Sequence, residues 1–181
     1  MEVLISIIIF SFGLLGMVGL QATALQSNRD ARLQSSAVVL ARELAEMMRA
    51  NKEVALRAAN NPYLRVDTDA MAVTAPSYCL NSGGSTSCAD NVEVANAQMT
   101  EWLTRLTNDL PGARVAVCDD STPFSAGLAT WSCTPANGSR STVIKIGWSQ
   151  ASTNKTITGA TAINRADKPS LVIPVTGRVI P

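Results

Sequence analysis

Few residues of this chain could carry catalytic chemistry. The 181 residues include no histidine, which removes the commonest general base and the commonest metal ligand. The sequence also lacks a glycine-rich phosphate loop and a Gly-x-Ser-x-Gly nucleophile motif. We therefore predict no catalytic residue, no metal site, no cofactor and no small-molecule substrate, in a protein that is not an enzyme.

The adjacent carboxylates Asp119 and Asp120 follow a predicted strand and precede Ser-Thr-Pro. This context is typical of a solvated turn, and the further oxygen ligands that calcium needs do not follow at regular spacing. We predict a turn here. Asn137-Gly138-Ser139 matches a glycosylation sequon, but a hairpin turn is the favoured interpretation. The three tryptophans, Trp102, Trp131 and Trp148, are expected in the core or against disulfides.

Four cysteines form an even set without the spacing of a zinc or thioredoxin-like motif: Cys79, Cys88, Cys118 and Cys133. Three pairings are possible, and the pairing of sequence neighbours, Cys79–Cys88 and Cys118–Cys133, closes two short polar loops. Each such loop would stabilise the fold by about 2–3 kcal/mol. Disulfides place this region in an oxidising compartment, whereas free thiols would place it in the cytosol.

Val3 to Leu20 is a run of 18 residues without a charge. As a helix it would be roughly 27 Å long, close to the hydrocarbon thickness of a bilayer. A buried central helix is the alternative, but the rest of the chain has too few large apolar residues to surround it. No Lys or Arg precedes the run and a helical segment follows it, so we predict a retained membrane span rather than a cleaved signal peptide.

Glu2 is the acidic residue directly before this apolar run. One interpretation is a helix N-terminal acid at the membrane surface, which the helix dipole favours. The other is a buried charge that needs a positive partner from another subunit, because a carboxylate is costly inside a bilayer.

The nearest positive charges, Arg29 and Arg32, lie on the C-terminal side of the apolar run. The positive-inside rule would then place most of the chain in the cytoplasm, against the disulfides. The conflict is resolved if a basic leader originally preceded Met1.

Residues 21–61 contain neither Pro nor Gly and continue the helical pattern. Apolar residues recur at spacings of three and four, at Leu33, Ala37, Leu40, Leu44, Met47 or Met48, Val54 and Ala58, with an interruption at Asn51. We predict one helix from about residue 3 to residue 60. Gly13, Gly16 and Gly19 either let membrane helices pack closely or weaken the helix so that it can bend.

The rest of the chain predicts a second helix and a small sheet. Asp90 and Glu93 fit a capping box before an apolar stripe that Pro111-Gly112 ends. Strand patterns cover residues 114–118 and 142–148, and a weaker one covers 153–158. Residues 170–176 are also β-prone, but Pro174 restricts them to an edge or to the end of a strand. The expected fold is α+β, with an antiparallel sheet of three or four strands against the long helix.

The formal net charge is +1, from 15 basic and 14 acidic residues. A chain so close to neutrality has no electrostatic footprint for nucleic acid, so we do not expect that partner.

Glu2-Val3-Leu4-Ile5-Ser6 at the head of a long apolar helix resembles the start of mature type IV pilins and type II secretion pseudopilins. In that superfamily a basic leader ending in Gly is removed, and the mature chain begins Phe-Thr-Leu before a sequence like this one. The resemblance implies that a leader and Phe-Thr-Leu precede Met1.

Later motifs resemble PilV-type minor pilins more closely. They are Gly13 to Gln21, Trp102 to Leu106, Leu110-Pro111-Gly112, Val117-Cys118 with residues 119–123, and Val143 to Trp148. The resemblance implies the αβ-roll of type IV pilins. Its parts would be a membrane or filament-core half-helix at 1–20, an amphipathic periplasmic half at 21–61 and a disulfide-containing head at 62–181.

The resemblance implies a structural subunit, a minor pilin that initiates pilus assembly and supports adhesion, twitching motility or DNA uptake. Glu2 would neutralise the N-terminal amine of a neighbouring subunit. Partners would be major and minor pilins, the inner-membrane assembly platform, an adhesin-like tip protein, and membrane lipid before assembly. The protein would lie in the bacterial inner membrane as a single-pass protein with a periplasmic head, and then in the pilus. The alternatives are a minor pseudopilin of type II secretion and a membrane-anchored periplasmic binding module that never polymerises.

Overall fold

The computed structural model of the protein describes residues 2–66, 68–69, 71–81, 87–135, 140–151, 163–164 and 166–178. In chain order its elements are helices α1 (Glu2–Ala50), α2 (Lys52–Ala55) and α3 (Asn91–Asp109), then strands β1 (Arg114–Asp119), β2 (Phe124–Ser125), β3 (Leu128–Ala129), β4 (Arg140–Gly147), β5 (Gln150–Ala151), β6 (Ile163–Asn164) and β7 (Leu171–Arg178). The chain packs as two compact units, Met1–Ser35 and Ser36–Pro181. We call the second unit the head. The division falls inside α1, and the domain boundaries at residues 20 and 61 stay a prediction.

The long helix ends earlier than the sequence predicts, at Ala50 rather than near residue 60. Asn51 leaves the helical conformation, with φ −110° and ψ 55°, and its side-chain amide donates to the carbonyl of Asn91 at 2.7 Å. This tertiary hydrogen bond accompanies the non-helical conformation of Asn51, and α1 ends at the residue before it. After α2, the amide of Asn61 donates to two carbonyls of the preceding turn, at 3.0 and 3.2 Å.

The core of the head is built from one face of α1, one face of α3 and the sheet. From α1 it buries Ala37, Leu40, Ala41, Leu44, Ala45 and Met48, and from α3 Ala95, Ala97, Met99, Trp102, Leu103 and Leu106. The indole N–H of Trp102 donates to the carbonyl of Leu40 at 2.9 Å. The predicted apolar stripe is confirmed in this part of α1, but Ala58 lies beyond α2 and is exposed.

Helix α3 begins with the predicted cap at Asp90, whose Oδ1 accepts from the backbone N–H of Glu93 at 2.7 Å. This bond satisfies an N–H group that a helix start leaves without a partner. The Glu93 carboxylate accepts from the N–H of Ala89 at 2.6 Å, one residue before the N-cap N–H that it would contact in a regular capping box. The chain turns after α3 at Gly112, whose φ of +59° favours glycine.

The predicted strands at 114–118, 142–148 and 170–176 are confirmed as β1, β4 and β7. They form one antiparallel sheet in the order β1-β4-β7, with Val117 opposite Ile144 and Ile144 opposite Ile173. Two short pairs, β2–β3 and β5–β6, were not expected. The weaker strand candidate at 153–158 and the turn at 137–139 lie outside the described residues. The α+β class is confirmed: a long helix packs on a small antiparallel sheet.

Pro174 lies in β7, an edge strand of this sheet among the described residues. Val117 exchanges both backbone hydrogen bonds with Arg65, at 2.7 and 2.8 Å, so these groups of β1 point away from β4. Val117 and Ile144 are therefore a non-hydrogen-bonded pair, and the backbone groups of Ile144 point toward β7. Because the two kinds of pair alternate in antiparallel sheets, Ile144 forms a hydrogen-bonded pair with Ile173, and Val143 forms a non-hydrogen-bonded pair with Pro174. The N–H that proline lacks is therefore missing from the outer edge of β7, as the sequence predicts.

Candidate assembly interface

The apolar segment, residues 3–20 of α1, is exposed along its whole length. Its most apolar window of 18 residues has a mean hydropathy of 2.6 and no buried residue. The exposed fractions of its large apolar residues run from 47% at Ile8 to 75% at Leu20. Within the described residues, α1 is the one helix whose length and composition would let it cross a membrane. Exposed apolar surface of this extent marks a membrane or protein contact.

Glu2 lies in the first turn of α1, at the start of the apolar segment, and is exposed. It forms no salt bridge with a residue that the structure describes. A carboxylate in the first turn interacts favourably with the helix dipole, by up to about 1 kcal/mol. Its pairing with another subunit stays a prediction.

The hydroxyl groups within the apolar segment, and that of Thr23 just after it, are satisfied within the helix. Ser6 donates to the carbonyl of Glu2 at 2.8 Å, Ser11 to Ile7 at 2.7 Å and Thr23 to Gly19 at 3.1 Å. A hydroxyl bonded to the carbonyl four residues earlier needs no water. These polar residues therefore add little to the cost of placing the segment in an apolar environment.

Gly13, Gly16 and Gly19 leave the surface of α1 open. A Cβ atom built on any of them would meet nothing within 4 Å. The helix continues through all three positions. This geometry leaves room for close approach of another helix. It does not distinguish between the two roles predicted for the glycines, which are close helix packing and bending of the helix.

The structure joins Cys79 to Cys88 and Cys118 to Cys133, with Cα–Cα distances of 5.0 and 6.1 Å. No cysteine is free. The first disulfide lies just before α3. The second runs from the end of β1 to the segment that follows β3, and we call residues 118–133 the disulfide loop.

Lys145 lies at the centre of β4 and holds the disulfide loop against the sheet. Both Lys145 and Asp120 are inaccessible, with side-chain exposures of 0%, and Lys145 Nζ donates to Asp120 Oδ2 at 2.5 Å. The same ammonium donates to the carbonyls of Thr130 and Ser132 at 2.8 and 2.6 Å. Three donors thus meet three acceptors, which is how a buried lysine is stabilised.

The prediction of a solvated turn is wrong for Asp120. Besides Lys145, its carboxylate accepts from the backbone N–H groups of Thr122 and Thr134, at 2.9 and 3.2 Å. Burial raises the pKa of Asp120, but the hydrogen bonds from Lys145 and these two N–H groups outweigh burial and bring the pKa below its ordinary value of 3.8. The carboxylate is therefore held in its charged form.

Trp131 is part of the packing around the disulfide loop. The guanidinium of Arg114 lies 5.2 Å from the centre of its ring, and its indole N–H donates to the carbonyl of Ala166 at 2.9 Å. A Cβ atom at Gly147 would lie 2.8 Å from the Trp131 ring and 2.9 Å from the Ala166 methyl group. The glycine therefore permits this close contact. Trp102 and Trp148 are buried, so the expected packing role of the tryptophans is confirmed.

Sequence reasoning missed the pair of Lys145 and Asp120. Alternation along β4 places Lys145 on the opposite face of the strand from Ile144 and Ile146. That face is covered, and every residue from Thr142 to Trp148 is buried. The one available signal is a lone lysine inside an apolar strand near a strand-terminal aspartate.

In the described part of the chain no three His, Cys, Asp or Glu residues are grouped so that they could hold a metal ion. The sequence matches the family described as Tt1218-like, type IV pilin Tt1218, over residues 19–102. No curated protein and no solved structure matches the chain. Over residues 19–102 the chain is therefore similar to a type IV pilin, and the long apolar helix on a small antiparallel sheet is consistent with that similarity.

Proposed function

We propose that the protein is a minor pilin that takes part in the initiation of type IV pilus assembly. The family match supports a pilin, and the sequence resembles the PilV-type minor pilins. The observation that carries the proposal is the continuous exposed apolar segment headed by Glu2. Adhesion, twitching motility or DNA uptake would then be properties of the pilus that this subunit helps to build.

The apolar segment has one environment before pilus assembly and another in the filament. Before assembly it crosses the inner membrane, with the head in the periplasm, where disulfides form. In the filament it packs against the same segments of neighbouring major and minor pilins, so that its side chains contact protein in place of lipid. The open surface at Gly13, Gly16 and Gly19 lets those helices approach closely.

Glu2 guides this transfer by charge. A carboxylate that enters an apolar environment must find a positive partner. In the proposed filament, that partner is the N-terminal amine of a neighbouring subunit. The pair forms only when the subunit is in register, so Glu2 selects the correct position.

The test compares Glu2→Ala with Glu46→Ala, an exposed glutamate elsewhere on α1. Sheared filaments are collected, and the protein is quantified by immunoblot and located by immunogold labelling. Glu2→Ala should lower incorporation at least roughly tenfold because the buried pairing is lost, whereas Glu46→Ala should leave it unchanged. Equal incorporation of both variants would remove the proposed role of Glu2.

Two other outcomes separate the alternatives. Protein found only in membranes, and never in sheared filaments, would indicate a membrane-anchored module that does not polymerise. A gene for this protein that lies in a type II secretion operon, beside other genes of that system, would indicate a type II pseudopilin. Labelling at filament tips or along shafts would support the minor pilin.

A further inference from the structure

A narrow groove on the head lies between α3 and the segment at 77–81 that precedes it. Its volume of about 180 Å³ is below the range of about 300–1,000 Å³ typical of small-molecule sites, so a side chain of another protein fits it better than a free metabolite. Tyr78 and Leu80 line the groove and remain 65% and 48% exposed. Exposed apolar side chains around a depression mark a contact surface.

The groove is formed by bonds within the head, so it exists before a partner binds. The Cys79–Cys88 disulfide anchors the segment at 77–81 just before α3. The backbone N–H of Ser77 donates to Thr100 Oγ1 of α3 at 3.3 Å and joins the two sides of the groove. Binding to such a surface avoids the entropic cost of ordering a loop.

The groove contains a carboxylate that no basic side chain binds. Glu101 lines the groove, is exposed, and makes no hydrogen bond or salt bridge to a residue that the structure describes. The guanidinium of Arg105, which also lines the groove, is bound by Glu43 of α1, with Nη1 at 2.8 Å from Glu43 Oε2. The groove therefore favours a partner that presents an apolar and a basic side chain next to each other.

The exposed side of α1 in the same head presents such a pair of side chains. Val39 is 61% exposed, and Arg42, three residues later, is exposed on the same face of the helix. Arg42 makes no salt bridge in the described part of the chain, and Glu46, four residues after it, is bound by Arg49 instead. We call Val39 and Arg42 the ridge.

We propose that the ridge of one copy docks in the groove of a second copy of this chain. Val39 packs against Tyr78 and Leu80, and the guanidinium of Arg42 pairs with the carboxylate of Glu101. The contact matches opposite charges and removes exposed apolar surface of both copies from water. It buries less than the about 1,200 Å² of a stable complex, so it is weak and depends on the local concentration of heads.

The contact does not depend on the assembly proposal. Glu2 and the apolar segment take no part in it, and a membrane-anchored protein that never polymerises would make the same contact. Loss of this contact therefore does not bear on the pilin assignment, and loss of filament incorporation in Glu2→Ala does not bear on the contact.

Cysteine cross-linking between two copies tests the geometry. One full chain in nonionic detergent carries Val39→Cys and the other carries Thr104→Cys, at an exposed position that lines the groove, and the two are mixed and mildly oxidised. Their mixed product should form at least roughly tenfold faster than that of Val39→Cys with Ser125→Cys, because docking raises the effective concentration of the two thiols. Ser125 is exposed and does not line the groove.

A charge swap tests the pairing of Arg42 with Glu101. Arg42→Glu and Glu101→Arg should each weaken self-association roughly tenfold, because like charges then face each other. Sedimentation equilibrium at about 1 µM to 1 mM covers the expected dissociation constants. The chain with both changes restores opposite charges and should associate within about threefold of the wild type. Asp167→Arg makes the same change at an exposed position outside the groove and should have no effect.

Four results would overturn the proposal. They are a mixed cross-link no faster than the Ser125→Cys control, a double variant as weak as the single variants, equal weakening by Asp167→Arg, and a Thr104→Cys chain that in cells is cross-linked only to a different protein. Association through the apolar segment is the same in all these variants, since every changed residue lies in the head.

Discussion

Lys145 and Asp120 show how single residues fix a segment that has little regular structure. Within the disulfide loop, the ammonium of Lys145 contacts one carboxylate and two backbone carbonyls, from Asp120, Thr130 and Ser132. The Cys118–Cys133 bond holds the ends of the same loop. The loop is thus held by a covalent bond at its ends and by a buried charge in between.

Removing the charge should destabilise the head strongly. Lys145→Met leaves Asp120 buried without a cation, and breaking one partner of a buried pair costs about 3–5 kcal/mol. Denaturant unfolding followed by tryptophan fluorescence measures the free energy of unfolding. Lys168→Met, at an exposed position, should change it by less than about 0.5 kcal/mol.

The double variant Lys145→Met with Asp120→Asn provides the internal check. Because the two residues contact each other, their effects should not add, and the double variant should be less destabilised than the sum of the single variants. Additive losses would show that the pair does not act as a unit.

Acid should weaken the same pair. The pKa of Asp120 in the folded protein lies below its ordinary value of 3.8, so the stability that its charge contributes is fully present above that value. This stability is lost as the pH falls through the folded pKa. The unfolding free energy of wild type and Asp120→Asn, measured from about pH 7 to about pH 2, should therefore differ most at neutral pH and converge in acid. A difference that does not depend on pH would contradict this assignment.

At the scale of elements, the sequence predicted what depends on local pattern. The apolar spacing of α1 and α3, the cap at Asp90 and the positions of β1, β4 and β7 were predicted from local residue patterns, and each is present in the structure. The end of α1 at Ala50 does not follow from the apolar spacing, which continues beyond the interruption at Asn51 to Val54. The tertiary bond from Asn51 to Asn91 could not be seen from a local pattern.

Strand β4 shows the limit of pattern reading most clearly. A strand with one face toward the core should expose its alternate residues, yet all of Thr142 to Trp148 are buried. The covering segment is the disulfide loop, whose two-residue strands β2 and β3 are too short for any periodic signal. Lys145 is buried because a segment distant in sequence covers its strand, and the spacing of residues along β4 does not predict that cover.

Gly147 tests how closely that covering segment packs. Gly147→Ala would place a methyl group 2.8 Å from the Trp131 ring and 2.9 Å from Ala166, so the indole must shift. Overpacking of this kind costs about 1–3 kcal/mol, which thermal unfolding of the head would measure. Gly13→Ala, where a Cβ atom meets nothing within 4 Å, should leave that transition unchanged. Adding Ala166→Gly should restore part of the loss.

Across the whole molecule, the two units differ in whether their apolar side chains are exposed or buried. Met1–Ser35 contains the exposed apolar segment, and Ser36–Pro181 contains the buried core and the disulfides. The overall hydrophobic content of 46% averages these two parts, so composition alone could not separate them. The 18-residue uncharged run at 3–20 does mark the exposed apolar segment in the sequence, because its length matches a bilayer.

The proline in β7 has a consequence for crowding. In a filament of the proposed kind, the heads of many subunits are held side by side at a very high local concentration. An edge strand with a full row of N–H donors would invite neighbouring sheets to join into a continuous β-structure. Because Pro174 removes one donor from that row, it disfavours edge-to-edge pairing between the sheets of neighbouring heads.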